Sequence, residues 1–200
     1  MKENKEYILA YGFAGKLLDA LSAVTKKEKV GLVLIGDQEL DQIVEDLLLK
    51  DEESFTEVIS SADSYELELE HLLFVNFTQE SLMHFIDKLK AEGISVPYKA
   101  LLTEHNRKWF LRDLIEANRQ EHLFVKLYHS SKNVLKIAVD VYATSKDAPL
   151  LAAMDNLQQQ IEAVEMQGEM PAEEEANFFE KLRLSYNSLA ERLNTLMMDS

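Results

Sequence analysis

Two stretches of this 200-residue chain repeat the same order of sequence patterns. Residues 7–49 hold a short apolar run, a stretch with helical spacing, a second apolar run and a second helical stretch, and residues 72–117 hold the same four in the same order. A short apolar run closed by a turn residue is typical of a buried strand. A strand, a helix and a strand in succession form a parallel pair through a right-handed crossover. The sequence therefore predicts an α/β domain over residues 1–118, in which a duplicated βαβα unit forms a mainly parallel four-stranded sheet with flanking helices.

Polar residues at the ends of the predicted strands indicate where helices begin. Asp37 follows the second strand and Asn106 follows the fourth, and both residue types cap helices by accepting hydrogen bonds from free backbone amides. We therefore expect Asp37 and Asn106 to be helix caps. A strand order of second, first, third and fourth would relate the two repeats by an approximate twofold axis. The predicted buried face of the helix after Asn106 consists of Phe110, Leu111, Leu114 and Ile115.

Residues 50–71 connect the two repeats, and their composition is strongly acidic. Residues 37–70 hold thirteen acidic residues and one lysine, which favours a segment at the protein surface. Two interpretations of its apolar residues stay open. A short helix would be anchored by Phe55, Val58 and Ile59, whereas an edge strand would be marked by Tyr65, Leu67 and Leu69, which alternate with acids.

Residues 119–200 form a predicted C-terminal helical region. From 119 to 145, apolar residues recur every three or four positions without a glycine, which favours one long helix. The alternative is a hairpin turning at residues 130–133, because the apolar residues from 135 to 141 also alternate strictly. Two more amphipathic stretches follow, each after a break that contains a proline. Three such stretches joined by short loops predict a helical bundle or an antiparallel hairpin.

Composition excludes several classes of function. The chain has no cysteine, so disulfides, thiolate catalysis and cysteine-ligated metal sites are excluded. The formal net charge of −15 makes nucleic acid and anionic membrane poor partners, because both would repel the protein. The polar amino terminus and the absence of an apolar run of about 20 residues argue against a secretory signal and a membrane span. We therefore expect a cytoplasmic protein that binds neither nucleic acid nor membrane.

Motifs for phosphate or metal binding are incomplete in this sequence. Residues 12–16 contain two glycines and a lysine, but the spacing fits neither a phosphate-binding loop nor a dinucleotide fingerprint, whose third glycine is replaced by Leu18. The five histidines include no pair four residues apart and no HExxH sequence. We therefore predict no metal ion and no cofactor.

Polar side chains follow the predicted strands of the second repeat. Ligand sites of parallel sheets lie beyond the carboxyl ends of the strands, where such side chains converge. The neighbouring Glu104 and His105 are candidates for an acid–base pair, since histidine titrates near neutral pH. Trp109, the single tryptophan, is expected to pack against the sheet, and if it is instead open to solvent it is a candidate for a binding surface beside them. The candidate ligand-binding residues are Asn76, Thr103, Glu104, His105, Asn106 and Trp109.

The segment from Pro97 to Trp109 resembles the signature of a small bacterial domain family of unknown function. The shared pattern is a proline, a lysine, an apolar strand, a threonine, two variable residues, an asparagine, two more residues and a tryptophan, with Thr103, Asn106 and Trp109 at its last three fixed positions. The resemblance covers about residues 72–117, and the first repeat departs from the pattern at every polar position. It implies an uncharacterised cytoplasmic bacterial protein and supplies no reaction.

These observations favour an interaction or regulatory protein over an enzyme. In this hypothesis the sheet is a scaffold, and the helical C-terminal region binds a protein partner or a second copy of the chain. The alternative is a small-molecule-binding or enzymatic domain with a pocket at the carboxyl ends of the strands, lined by the candidate residues.

Overall fold

The computed structural model describes residues 5–48, 65–166 and 172–198, and the chain divides into two compact units after residue 120. Phe55, Val58 and Ile59, the predicted anchors of a short helix, lie outside the described residues. Across the described residues, every helix is too short or too polar to cross a membrane.

The described part of the first unit contains one four-stranded sheet. Its strands are β1 (Tyr7–Tyr11), β2 (Gly31–Ile35), β3 (His71–Val75) and β4 (Tyr98–Leu101). Their order is β2-β1-β3-β4, which is the order considered above for two related halves, and the pairs β1–β2 and β3–β4 are parallel. The central strands β1 and β3 are antiparallel, so the sheet is mixed although mostly parallel. The carboxyl ends of β1 and β2 therefore lie at the opposite edge of the sheet from those of β3 and β4.

Both faces of the sheet are covered, which explains why β1 and the last four residues of β3 are continuous apolar runs. Helices α1 (Gly15–Glu28) and α3 (Gln79–Ala91) cover one face, where alternate strand residues such as Ile8 and Phe74 pack against them. The opposite face carries Leu9, Leu73 and their strand neighbours. It is covered by helix α2 (Val44–Leu47), by residues 65–69 and by the start of helix α4 (Leu111–Ser145).

The segments before α2 and α4 cross this second face side by side. Ile43 and Phe110 form an antiparallel bridge, and the amides of Val44 and Leu111 donate to the carbonyls of Trp109 and Gln42, both at 2.9 Å. Because Phe110 precedes the helix and lies in this bridge, it is 50% exposed, and its predicted burial is wrong. The other three residues predicted for that face, Leu111, Leu114 and Ile115, are buried.

The predicted helix caps, Asp37 and Asn106, do not cap α-helices. Each is the first residue of a short 3-10 helix, and the α-helix begins several residues later. The Asp37 carboxylate accepts hydrogen bonds from the Tyr11 hydroxyl at 2.6 Å and from the Glu66 amide at 3.0 Å. Asn106 ties the loop after β4, as described below. Both side chains therefore hold loops to the sheet, and the capping prediction is wrong.

Residues 65–69 pack onto the sheet as an irregular segment instead of the edge strand considered above. The Leu67 amide donates to the Tyr11 hydroxyl at 3.0 Å, and the ring of Tyr65 contacts that of Tyr11 edge-on at 5.0 Å. Gly12 allows this approach. Its φ of +81° suits glycine, and a Cβ atom there would lie 1.9 Å from the carbonyl oxygen of Leu69.

In the described part of the second unit, three helices pack together. The second part of α4, helix α5 (Ala148–Met166) and helix α6 (Ala172–Met198) contribute to one apolar core. The region from 119 to 145 is thus helical, and the hairpin alternative is wrong. Between α4 and α5, Asp147 caps α5 by accepting from the Leu150 amide at 2.7 Å, and Arg192 of α6 binds the same carboxylate. The residues buried in this core are Ala138, Leu150, Leu157, Ile161, Leu182, Leu189 and Leu193.

Candidate functional site

The loop after β4 carries five of the six predicted site residues, and two of them bind each other. The Thr103 amide donates to Asn106 Oδ1 at 2.8 Å, and the Asn106 amide donates back to Thr103 Oγ1 at 3.2 Å. Asn106 Nδ2 also donates to the carbonyl of Leu101 at 2.9 Å. Threonine and asparagine commonly close loops through such local hydrogen bonds. The polar atoms of this pair therefore hold the loop in shape.

The remaining three residues of the loop form a solvent-facing group. Glu104 is 89% exposed at its side chain and accepts from the Arg107 guanidinium at 2.9 Å. The His105 ring meets the Trp109 ring edge-on, with 5.0 Å between centroids, and Trp109 is half-buried against the core of the sheet. The structure thus places His105 beside tryptophan and Glu104 beside arginine, and an acid–base pair of the two stays a prediction.

Asn76 lies at the same edge of the sheet, directly after β3. It adopts a φ of +64°, a conformation that asparagine tolerates better than most residues. Its side-chain Nδ2 donates to the carbonyl of Lys5 at 3.1 Å. Asn76 therefore fastens the chain before β1 to the end of β3, and the described contacts do not join it to the Thr103–Asn106 pair.

His71 was not predicted as a special residue, although it is the most unusual polar group in the sheet. It begins β3 and is fully buried, and neither ring nitrogen has a hydrogen-bond partner in the described structure. Burial, assisted by the nearby Lys99 charge, lowers the pKa of His71 to about 4. Asn118 Oδ1 is likewise buried without a partner, while Asn118 Nδ2 donates to the Lys99 carbonyl at 3.1 Å. The imidazole is therefore held neutral at physiological pH.

A second polar cluster lies at the carboxyl ends of β1 and β2, on the edge opposite the predicted site. Its centre is the hydrogen bond between Tyr11 and Asp37. Burial, followed by the hydrogen bond to Asp37, raises the pKa of the Tyr11 hydroxyl above its ordinary value. Arg112 joins the surrounding loops by binding Asp41 at 3.0 Å and Glu66 at 2.8 Å. The cluster anchors residues 65–69, and the Tyr11 hydroxyl stays protonated.

The second unit contains an open groove between α4 and α5, with a volume of about 390 Å³. Its apolar part includes Leu135, Met154 and Ile161. Val139 also lines the groove and is 55% exposed. The remaining lining residues are Lys132, Lys136, Asp155, Gln158 and Glu165.

The two walls of this groove, which we call the α4–α5 groove, carry opposite charges. Lys132 and Lys136 belong to α4, whereas Asp155 and Glu165 belong to α5. Lys132 Nζ binds Glu165 Oε1 at 2.9 Å, and the Tyr128 hydroxyl donates to the same carboxylate. These contacts lower the pKa of Glu165, through Tyr128 first and Lys132 second. A basic wall therefore faces an acidic wall across an apolar floor.

The sequence contained part of the signal for this groove. Residues 119–146 hold five basic and two acidic residues, whereas residues 147–200 hold three basic and eleven acidic residues. This asymmetry indicates a basic helix beside acidic ones. It does not indicate which side chains stay open to solvent, because that depends on the packing of three helices.

Among the described residues, no group of three histidine, aspartate or glutamate side chains is arranged to hold a metal ion.

Comparison with known proteins supports the resemblance to a domain family of unknown function. Neither a curated protein nor a solved structure matches the chain significantly. The family model described as a domain of unknown function (DUF3783) matches residues 70–125, which confirms the resemblance inferred from the segment ending at Trp109.

Proposed function

We propose that this chain is a non-enzymatic interaction module, and that the α4–α5 groove binds an amphipathic helix of a protein partner. The observation that carries this proposal is the open apolar floor between two charged walls. An amphipathic helix places an apolar stripe on such a floor and its flanking charges against the walls. The sheet unit then acts as the scaffold from which α4 extends.

The dimensions of the groove suit a short helix. Its α5 wall runs from Met154 to Glu165, which is about 17 Å at 1.5 Å per residue. That length accommodates about three helical turns, enough for two or three apolar anchors at the usual three- and four-residue spacing. Val139 is a half-exposed apolar residue of the groove lining, so a bound helix could bury it.

The alternative function, a small-molecule or enzymatic site at the strand ends, has weaker support. The amide groups of Asn76 and Asn106 and the hydroxyl of Thr103 are already hydrogen-bonded within the chain. A ligand would have to compete with those bonds. Glu104 and His105 stay accessible, so a surface role for the loop is compatible with the interaction function.

We also propose that the two halves of the sheet unit are copies of one βαβα module. Each half is a strand, a helix and a parallel strand, and the offset between the halves is 64 residues both at the first strand and at the start of the first helix. The antiparallel pairing of β1 with β3 is the arrangement that a twofold relation between copies produces. A scaffold made of two copies of one module is consistent with an interaction protein and does not require a catalytic site.

Site-specific photo-crosslinking tests the interaction function. A photoreactive amino acid replaces Val139 in the full-length chain, and a control carries it at Leu184 of α6, which is 56% exposed and lies outside the groove lining. We expect Val139 to yield a discrete protein adduct in cells, with the crosslink mapping to an amphipathic helix. The proposal is wrong if both positions yield the same adducts, or if Val139 yields none.

A further inference from the structure

We infer that the partner of the α4–α5 groove is a second copy of this chain, whose own α4 and α5 pack against it, so that the groove is a homodimer interface. This inference rests on the proposed function and names its partner. It follows from the arrangement of charge on the two walls, because a surface that binds itself must complement itself.

The charges on the two walls of the α4–α5 groove make this surface complementary to a second copy of itself. A twofold axis that runs parallel to the groove, in the plane between the two copies, places α4 of one copy opposite α5 of the other, and each contact then occurs twice. The basic wall with Lys132 and Lys136 faces the partner's acidic wall, and the acidic wall with Asp155 and Glu165 faces the partner's basic one. Opposite charges therefore meet on both sides of the axis.

The net negative charge of the chain disfavours association through other surfaces. Two copies with a net charge of −15 each repel one another over most of their surfaces. Residues 119–146 of α4 form a region with an excess of basic residues, so association through this helix avoids the repulsion that other faces would bring. Electrostatic complementarity of this kind fixes the register and excludes wrong partners more than it adds affinity.

Lys136 and Asp155 are the charges available for the contact. Lys132 already binds Glu165 within its own chain, which closes part of the groove. Lys136 and Asp155 are exposed, and neither has an ion-pair partner among the described residues. In the dimer each copy's lysine meets the other copy's aspartate, while Val139 of each copy covers the partner's apolar floor.

Charge reversal of these two residues tests the inference. We expect wild-type protein to sediment as a dimer at micromolar to tens-of-micromolar concentration, and Lys136→Glu and Asp155→Lys each to raise the dissociation constant by about tenfold or more. An equimolar mixture of the two variants restores both contacts and regains the wild-type dissociation constant. Lys126→Glu makes the same charge change on α4 outside the groove lining and leaves dimerisation unchanged. Circular dichroism verifies that every variant is folded.

The outcomes separate this inference from the function on which it rests. A wild-type chain that stays monomeric at several hundred micromolar overturns the homodimer, as do single variants that dimerise like wild type or a mixture that fails to associate. If the crosslink at Val139 instead maps to a helix of a different protein, the homodimer is wrong and the interaction function stands. If the Val139 crosslink joins two copies of this chain, both are supported.

Discussion

Replacing the buried His71 with leucine should remove most of the acid sensitivity of the sheet unit between pH 7.5 and pH 5. The folded protein holds His71 neutral with a pKa of about 4, whereas an unfolded chain titrates near 6.5. Between those values the unfolded chain binds the proton more readily, so acidification favours unfolding. The contribution of neutral His71 to stability is therefore complete above about pH 6.5 and is lost as the pH falls toward about 4.

The expected magnitude follows from the two pKa values. At pH 5 the solution is about 1.5 pH units below the histidine pKa of the unfolded chain but still above that of the folded protein. Protonation therefore stabilises the unfolded chain by about 2 kcal/mol relative to the folded one. The full difference, about 3–4 kcal/mol, is reached only below about pH 4. Stopping at pH 5 keeps the measurement above the ordinary titration range of aspartate and glutamate, so the carboxylates add little.

Trp109 provides the assay. It is the single tryptophan, and it packs half-buried against the core of the sheet unit, so its fluorescence reports the unfolding of that unit in urea. Wild type should lose about 2 kcal/mol between pH 7.5 and 5, while His71→Leu should lose much less. At pH 7.5 the leucine variant should be at least as stable, because it removes two buried nitrogens without partners.

A control at an exposed histidine makes the result specific. His129→Leu changes the same residue type on α4, where the histidine is exposed, and should keep the wild-type loss. Equal pH dependence in wild type and His71→Leu would refute the reasoning, as would a nuclear magnetic resonance titration that places the His71 pKa near 6.5.

Three further predictions concern packing and loops, each measured by chemical or thermal unfolding of the full chain. Gly12→Ala should destabilise the sheet unit by at least about 1–3 kcal/mol, since the new Cβ clashes with the carbonyl of Leu69. Gly15→Ala is the control: Gly15 also has a positive φ, +53°, but apart from its neighbours in the chain no atom lies within 4 Å of the new Cβ, so the loss of stability should be smaller. Equal losses at the two positions would show that the clash with Leu69 does not matter. Ala138→Leu should destabilise the second unit by about 1–3 kcal/mol through overpacking, because Ala138 is fully buried; an unchanged midpoint would show that α4 is loosely packed. Asp147→Ala should lower the melting temperature of the second unit by removing both the cap of α5 and the ion pair with Arg192, and restoration by Asp147→Asn would assign most of the effect to the cap.

The strand and helix content of the chain is largely readable from local patterns. The runs that become β1 and residues 72–75 of β3 are apolar at every position because both sheet faces are covered, and that condition is visible in the sequence. The long helix α4 was favoured over a hairpin because its apolar residues keep helical spacing for many turns. The observed strand order is one that relates two similar halves by a twofold axis, but the local patterns do not fix it.

The relative direction of β1 and β3 is not readable in the same way. About sixty residues separate the two strands, and a connection of that length reaches either a parallel or an antiparallel neighbour. The direction decides which strand ends share an edge. It therefore divides Asp37 and Asn106, which an all-parallel sheet would have brought to one side.

The burial of His71 and the exposure of Phe110 were missed for a related reason. His71 is fully buried between its strand neighbours, Tyr11 of β1 and Tyr98 of β4. Both neighbours are distant from His71 in the sequence. Phe110 has the spacing of a helix interior, but it pairs with Ile43 and α4 begins only at Leu111, which leaves the ring half exposed. The α4–α5 groove likewise depends on how three helices pack.

Protection of a single cysteine in the α4–α5 groove tests the central claim most directly, because the chain contains no cysteine of its own. Val139→Cys and Leu184→Cys start from side chains of similar exposure, 55% and 56%. If another copy covers the groove, the rate of thiol modification at position 139 falls as protein concentration rises, while the rate at position 184 stays constant. Equal and concentration-independent rates at the two positions would contradict the claim.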